Sequence, residues 1–347
     1  MSKIAIIGPY PPPFGGVSIH IKRLSQLLEE NSIQYEIIDD SKISNKNIKN
    51  YKNTNYKKLL LELIFKKKSY DILHFNSRNW NFIFMILILN RLKSYKIVLT
   101  LHSFRENLDE KDIKTIIIKK VLRKVDHIIA VSNEIQKKLI DFDIDKNKIE
   151  VIPAFIPPIL NQDKIKNIKN KYFNEHIYTI VSNASKIEFY NEQDLYGLDM
   201  CIDISDILKR EGFKFKFLFV LSEVNNIEYY EKIISVIRKK NLQNVFEVII
   251  SNEEFSYFLA SANMFIRATN TDGDSVSIRE SLYLEKVTIA SDVVARPYGV
   301  HIFKNRNINS LSEIVKDKIL KSDNLIKYKN EDYKQILNIF NQYLKNR

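Results

Sequence analysis

One cysteine, Cys201, in 347 residues leaves no disulfide framework, so the fold must rest on its core and a reducing compartment is expected. Seven glycines serve the whole chain, and each is expected where the backbone needs one. The G-x-G-x-x-G spacing is absent and no acid follows at the place that fingerprint requires, which argues against a dinucleotide site. Long apolar runs are missing too. The longest wholly apolar stretch, Phe82 to Leu89, falls far short of the ~20 residues a spanning helix needs. Lys3 to Gly8 runs straight into a strand and a turn, so it does not read as a signal peptide. No His, Cys or Asp cluster has metal-ligand spacing, and no zinc-finger or RNA-binding signature accompanies the basic charge. These absences predict a soluble or peripheral cytoplasmic chain with no metal, no cofactor and no nucleic-acid partner.

What is present is ample apolar residue, 45% of the chain, in a length that exceeds what one core usually fills, so two domains are expected. The net charge of +12 is uneven. Residues 1–150 hold 27 Lys and Arg against 17 Asp and Glu, whereas residues 151–347 hold 27 against 25. Within 51–100 the ratio is ten to two. Tyr56 to Lys68 and Lys111 to Val125 both read as helices with an apolar stripe and lysine-rich flanks, suited to an anionic membrane surface or to packing on a sheet with solvated lysines.

Strand and helix patterns alternate regularly, which predicts α/β architecture with doubly wound sheets. Expected strands in the first half are Ile4 to Ile7, Tyr35 to Ile38, Asp71 to Phe75, Ile97 to Leu101, His127 to Val131 and Glu150 to Ile152. Regular structure breaks at Pro153 to Pro158, where paired prolines meet a polar Lys/Asn stretch. Alternation resumes with Thr179 to Val181, Phe215 to Val220, Glu247 to Ile250, Met264 to Ile266 and Val287 to Ala290 as strands. The expected organisation is a Rossmann-like domain over 1–157, a second over 158–327, and a closing helix in 328–347, with ligands beyond the carboxyl ends of the strands in a cleft between the domains.

The sharpest local pattern is Asp272-Gly-Asp-Ser-Val-Ser-Ile-Arg-Glu280, two carboxylates eight residues apart across a loop that runs into a helix. Ser275 or Ser277 is placed to cap that helix, whose first amides, with Gly273 and Val276, make a seat for a diphosphate. Glu280 lies one turn in, within reach of a ribose or sugar hydroxyl, and Asp272 is expected on the rim. Alone, this spacing also describes a capped helix with two solvated acids. Together with the flanking strands Asn263 to Ala268 and Val287 to Asp292 it resembles the acidic-x7-Glu motif of family 4 glycosyltransferases, with Asp where Glu is usual. The longer pattern from Arg267 to Glu280 and from Ser291 to Gly299 resembles a branch found in bacterial surface-polysaccharide clusters.

That resemblance implies a GT-B fold and transfer of a sugar from a nucleotide diphosphate donor to a glycan or lipid-linked acceptor, with retention of anomeric configuration. It implies that Asp272 and Glu280 orient the donor. His102, at the end of the strand Leu99-Thr-Leu-His-Ser, would contact the donor sugar or phosphate, although a lone histidine also serves structurally. Gly15 and Gly16, opening a helix after Pro11-Pro-Pro, would lie near the donor phosphates and the acceptor, and the last helix would pack back on the first domain. One departure matters. The family's Gly-Arg and Lys-Gly pairs, whose cations neutralise the leaving diphosphate, fall here on Asn183 and Tyr196, so Lys186 and Arg267 are the expected replacements. Arg279 and Arg296 also lie nearby, the first able to pair with Asp274, the second to order its own turn. The alternatives are a non-catalytic partner of the same fold and a sugar-nucleotide epimerase.

Overall fold

Strand and helix alternate through both halves of the computed structural model, which describes residues 3–12, 14–41, 48–65, 70–104, 112–173, 177–321 and 331–345. The chain divides into two compact units, Met1–Ile156 with Asn330–Arg347, and Pro157–Lys329.

In the first unit β1 (Ile4–Ile7), α1 (Gly16–Glu30), β2 (Tyr35–Asp39), β3 (Tyr51–Asn53), α2 (Tyr56–Phe65), β4 (Ile72–Phe75), α3 (Trp80–Lys93), β5 (Lys96–Leu101), α4 (Ile113–Lys124), β6 (His127–Ala130), α5 (Asn133–Asp141) and β7 (Ile149–Val151) follow in order. The strands form one sheet ordered β3-β2-β1-β4-β5-β6-β7, and every pairing in it is parallel. Such a sheet is covered on both faces, which is why its strands read as continuous apolar runs. Ile4, Ile6, Ile72 and Val98 pack with Ile21, Leu24 and Leu28 of α1. Alternate residues face the other way, where Phe75 meets Phe82 of α3 at 6.1 Å between ring centres. On that side α3 packs between α2 and α4.

The second unit starts with α6 (Gln162–Tyr172), in the polar Lys/Asn stretch that follows the paired prolines. Its side chain cap, Asn161 accepting from the Lys164 amide, and its one buried residue, Ile168, are a weak signal in a mostly charged segment. There follow β8 (Tyr178–Ala184), the two-residue strands β9 (Phe189–Tyr190) and β10 (Gln193–Asp194), α7 (Leu198–Arg210), β11 (Phe215–Leu221), α8 (Ile227–Lys239), β12 (Phe246–Ile250), α9 (Phe255–Ser261), β13 (Met264–Arg267), α10 (Val276–Tyr283), β14 (Val287–Ser291), β15 (Val300–Phe303) and α11 (Ile308–Leu320). The main sheet is ordered β12-β11-β8-β13-β14-β15, again parallel throughout. One face packs Phe217, Phe219 and Ile266 on α7, and the other packs Leu218, Val220 and Phe265 on α9 and α10.

The last helix, α12 (Gln335–Lys345), returns to the first unit, where Ile336, Ile339 and Phe340 join Ile4, Ile6 and Ile72 in one core. It starts later than the expected helix, whose first residues, Tyr328 to Asn330, lie outside the described residues, as do Lys66 to Lys68 of the helix expected from Tyr56 and Lys111 of the one expected to end at Val125. Among the described residues no helix is long and apolar enough to cross a membrane.

Candidate functional site

The order of the second sheet puts β13 between β8 and β14, so the carboxyl ends of all three, with the amino ends of α7 and α10, converge on one region of this unit. Arg267 is the last residue of β13. Its guanidinium donates to both oxygens of Asp272, from Nε to Oδ2 and from Nη2 to Oδ1, each at 3.2 Å. Nη1 points to the Asn183 carbonyl at 3.5 Å, and the guanidinium lies 5.2 Å from the centre of the Tyr196 ring.

From the opposite side Arg296 Nη1 donates to Asp272 Oδ2 at 2.9 Å, while its Nε donates to the Ser291 carbonyl and Nη2 lies 3.3 Å from Ser291 Oγ. The Thr269 hydroxyl and the Gly273 amide complete the shell of Asp272, at 3.2 and 3.1 Å. This carboxylate is therefore not on the rim, as the sequence suggested, but 9% exposed between two arginines that are 11% and 1% exposed. Burial pulls its pKa up, but Arg267 and then Arg296 outweigh burial and hold it below the usual carboxylate value. Burial lowers the pKa of Arg296. In Arg267 the charge of Asp272 outweighs burial and raises it. Two guanidiniums share one carboxylate, so the cluster carries one net positive charge.

Around this cluster the other predicted residues are distributed as follows. Ser275 occupies the cap position of α10 but its hydroxyl makes no capping bond; it lies 3.3 Å from Ser277 Oγ, and both serines are buried. Val276 opens α10, so of the two serines expected to cap it Ser275 holds the cap position. Glu280 is 4% exposed, one turn into α10. Arg279 Nε donates to Asp274 Oδ1 at 2.6 Å, the pairing its position in the sequence allows. Lys186 pairs with Glu188 at 2.8 Å with both side chains well exposed, and that bond raises the lysine pKa.

Sequence reasoning undervalued three residues here. Arg296 orders its own turn through Ser291, as its position predicts, but it also holds Asp272. Gly197 caps α7 at φ +69°, and a Cβ there would stand 2.3 Å from the Ala268 carbonyl, so only glycine lets α7 seat against the end of β13. Asp194, 6% exposed, accepts from the Tyr196 and Gly197 amides and from the Tyr229 hydroxyl. Its signal is the Asp-x-x-Gly turn pattern, which the overlooked β9–β10 hairpin concealed. Asp194 also lines a cavity of about 600 Å³ beside α7 and α8, flanked by Phe189, Asp199, Tyr229 and Arg306 and separate from the Arg267 cluster in its lining.

In the first unit the carboxyl ends of β4 and β5 carry a different group. His102, just past β5, places Nε2 3.1 Å from Asn76 Oδ1 and its ring edge-on to His20 at 4.9 Å. His20 Nδ1 donates to the Ala154 carbonyl at 2.7 Å, and His74 Nε2 lies 2.7 Å from Thr100 Oγ1 with its ring against Phe340. Burial drives the pKa of His20 down to about 4 and that of His74 to about 3, and holds that of His102 well below its usual value, so all three are neutral imidazoles near neutral pH. Gly16 opens α1 and Gly15 caps it. Contrary to the expectation that each glycine answers a backbone need, Gly15 is extended, and an added Cβ would meet nothing nearer than Ser18 Oγ at 4.0 Å. Among the described residues no group of His, Cys, Asp or Glu is arranged to hold a metal.

With this geometry in place, the known proteins it is similar to can be set beside it. Residues 14–158 match the family described as Glycosyltransferase Family 4. A glycosyltransferase from Rickettsia africae superposes with a TM-score of 0.76 at 17% identity, covering 100% of this chain and 99% of its own. HepE from Anabaena in complex with UDP-glucose superposes at 0.64 with 13% identity over 92% and 90% of the two chains. The fold is GT-B. A UDP-GlcNAc 2-epimerase from Methanocaldococcus jannaschii shares it at a TM-score of 0.65 and 15% identity, over 98% of this chain and 99% of that one, so this GT-B architecture alone does not separate transfer from epimerisation. No curated protein sequence matches.

Proposed function

We propose that this GT-B chain transfers a sugar from a nucleoside diphosphate donor to a hydroxyl of a glycan or lipid-linked glycan, with retention, in the assembly of a surface polysaccharide. In that reaction the bond from the anomeric carbon to the diphosphate oxygen breaks and one to the acceptor oxygen forms. The acceptor proton departs, and negative charge grows on the leaving diphosphate. A preorganised positive group placed where that charge develops lowers the barrier without reorganising. The observation that carries the reading is the Arg267–Asp272–Arg296 cluster, which supplies one net positive charge beside the amino end of α10, in a chain with Asn183 and Tyr196 where the family has cations. Asp272 fixes Arg267, and Arg267 has more N–H donors than its partners use, which suits paired phosphate oxygens.

Gly273, Ser275, Val276 and Ser277 line the amide seat in this reading, and Glu280 addresses a donor hydroxyl. Lys186 adds a mobile cation, because an exposed pair such as Lys186–Glu188 is readily exchanged for another anion. His102, neutral, offers a hydrogen bond rather than a charge, and Gly15 and Gly16 serve the acceptor side. The donor is a substrate, and no separate cofactor or metal belongs to the reading. A cytoplasmic location follows from the nucleotide sugar, and a lipid-linked acceptor places the work at the inner face of the plasma membrane.

UDP-glucose is the first donor to try, since HepE is described with it. Replacing Arg267 by Ala is expected to lower kcat/KM about 100- to 1,000-fold with the protein still folded, the range for loss of one preorganised donor. Glu280→Ala is expected to raise KM for the donor. Turnover unchanged by both substitutions removes these assignments. The substitution of the family cations favours a second reading, a non-catalytic partner that binds the donor only. Donor binding with no product in an acceptor screen would support it, and a changed donor in the absence of acceptor would identify an epimerase.

A further inference from the structure

The helix layer formed by α2, α3 and α4 should be apolar toward its sheet and polar outside, as surface helices of α/β domains are. It is not. In α3, Phe82, Ile83 and Ile86 are buried toward the sheet, while Met85, Ile88 and Leu92, spaced to share one face, are exposed, Ile88 by 55% and Leu92 by 85%. The helix contains no Asp or Glu. In α2 Leu59 and Leu63 are buried, and on the opposite side of that helix Leu61 and Phe65 are exposed, the latter by 80%. The pattern repeats in α4, with Ile118, Val121 and Leu122 inside and Ile113, 74% exposed, and Ile116 outside. Scattered exposed apolar residues need no explanation, but seven on the outward faces of three adjacent helices form a patch.

Charge identifies what covers it. Exposed Lys57 and Lys58 on α2 and Lys114, Lys120 and Lys124 on α4 flank the patch, and the one acid within the three helices, Glu62, is tied to Lys52. An apolar strip between lysines fits a bilayer with anionic headgroups, the strip entering the acyl boundary and the lysines reaching the phosphates. A second copy of the chain would set these lysines against their own kind. At 14 residues α3 is about 21 Å long, too short to span a ~30 Å core, so it lies in the interface.

We propose that the outward face of α2, α3 and α4 docks this protein on anionic phospholipid, with Met85, Ile88 and Leu92 inserted and the flanking lysines on the headgroups. The surface names the membrane partner of the transferase reading above but stands apart from catalysis, since its test needs no turnover.

The full chain is sedimented with vesicles of mixed phosphatidylglycerol and phosphatidylcholine, and of phosphatidylcholine alone, in low and high salt. Binding is expected to the mixed vesicles and to weaken with salt. Ile88→Glu combined with Leu92→Glu is expected to weaken it at least about tenfold. Lys57→Gln with Lys58→Gln should weaken it roughly thirtyfold in low salt and much less in high salt. All four positions are exposed, and unchanged circular dichroism melting shows that the variants fold. Failure of the wild type to bind mixed vesicles in low salt overturns the proposal. So does full binding by the Ile88→Glu, Leu92→Glu variant, or a concentration-dependent dimer that this variant abolishes without any lipid binding, which would give the face to a second copy.

Discussion

The two units solve the same problem in opposite ways at the carboxyl ends of their central strands. Each must bury polar side chains there. The first does so by removing charge: His20, His74 and His102 are held neutral, with Asn76, Thr100 and a backbone carbonyl as partners. In the second, charge is kept and opposed, with Asp272 between Arg267 and Arg296. A neutral cluster is cheap to bury but yields to protons, because acid charges it. A charged cluster resists protons over most of the pH range but fails when its shared carboxylate is removed, since the two guanidiniums are left buried and uncompensated. The contrast matters for function, because the unit that keeps a net cation is the one suited to an anionic leaving group.

The largest effect should come from Asp272→Ala. It leaves two guanidiniums facing each other with little exposure, and breaking a buried pair of this kind costs about 3–5 kcal/mol. The loss should be confined to the second unit. Trp80 is the only tryptophan and lies in the first, 6% exposed and edge-on to Phe104. Its fluorescence therefore follows unfolding of the first unit by itself, while far-ultraviolet circular dichroism follows both. In urea, Asp272→Ala should split the dichroism curve into an early step and an unshifted late one that coincides with Trp80 emission. A single transition displaced for both probes would show that the two units unfold together, and the comparison would lose its basis.

Much of this organisation is legible from residues because parallel strands buried on both faces are continuous apolar runs. Ile4–Ile7 matches its expected bounds, and the other central strands differ by a few residues at their ends. Two of the four edge strands and the accessory hairpin are not legible, whereas the edges Ile149–Val151 and Phe246–Ile250 are. Tyr51–Asn53 and Val300–Phe303 contain polar or half-exposed residues because each has a neighbour on one side only, and the two-residue strands of the β9–β10 hairpin are too short for any period to show. At the site, the sequence indicated the segment from Arg267 to Glu280 but not the partners within it. Arg296 is 24 residues from Asp272 and Tyr196 is 71 from Arg267, contacts set by the order of strands in the sheet. Charge alone placed Asp272 outside, since an aspartate in a turn is usually solvated. Two arginines, one ending β13 and the other in the loop after β14, make its burial tolerable.

Acid should separate the units in the other direction. A histidine with a folded pKa below its unfolded value of about 6.5 leaves the folded state with fewer protons than the unfolded one, so stability rises with pH. The full contribution is present above pH 6.5. Each buried histidine then costs about 1.4 kcal/mol per pH unit as pH falls, levelling off near its folded value, about 4 for His20 and about 3 for His74. Arg23 beside His20 and Arg78 near His102 disfavour protonation further. Asp40 acts the other way at the acid end, because burial raises its carboxyl pKa and the folded state keeps that proton. Asp272, whose pKa is lowered, loses its contribution only below its unfolded value near 4. Between pH 6.5 and 5 the urea midpoint read by Trp80 should thus fall more steeply than the dichroism step of the second unit. Replacing His74 by Leu should reduce the pH slope of the unfolding free energy read by Trp80 by about 1.4 kcal/mol per pH unit. Equal slopes before and after that change would mean that His74 is charged or exposed in solution.

The smallest stability effect should belong to Lys186, and it is informative for that reason. Its bond to Glu188 spans two well-exposed side chains, so Lys186→Met should change the unfolding free energy of the second unit by less than about 1 kcal/mol. Arg296 sits in the same region with 1% exposure, and its removal should be felt in folding first. If Lys186 serves the diphosphate, the Met variant should instead weaken donor binding several-fold, and the deficit should shrink as salt is raised because an exposed cation is screened. Titration calorimetry with UDP-glucose at two ionic strengths reads both. A loss of affinity that ignores salt would point to a buried cation as the sole anchor and would move the role from Lys186 to Arg267, sharpening the division between the exposed lysine and the enclosed arginines.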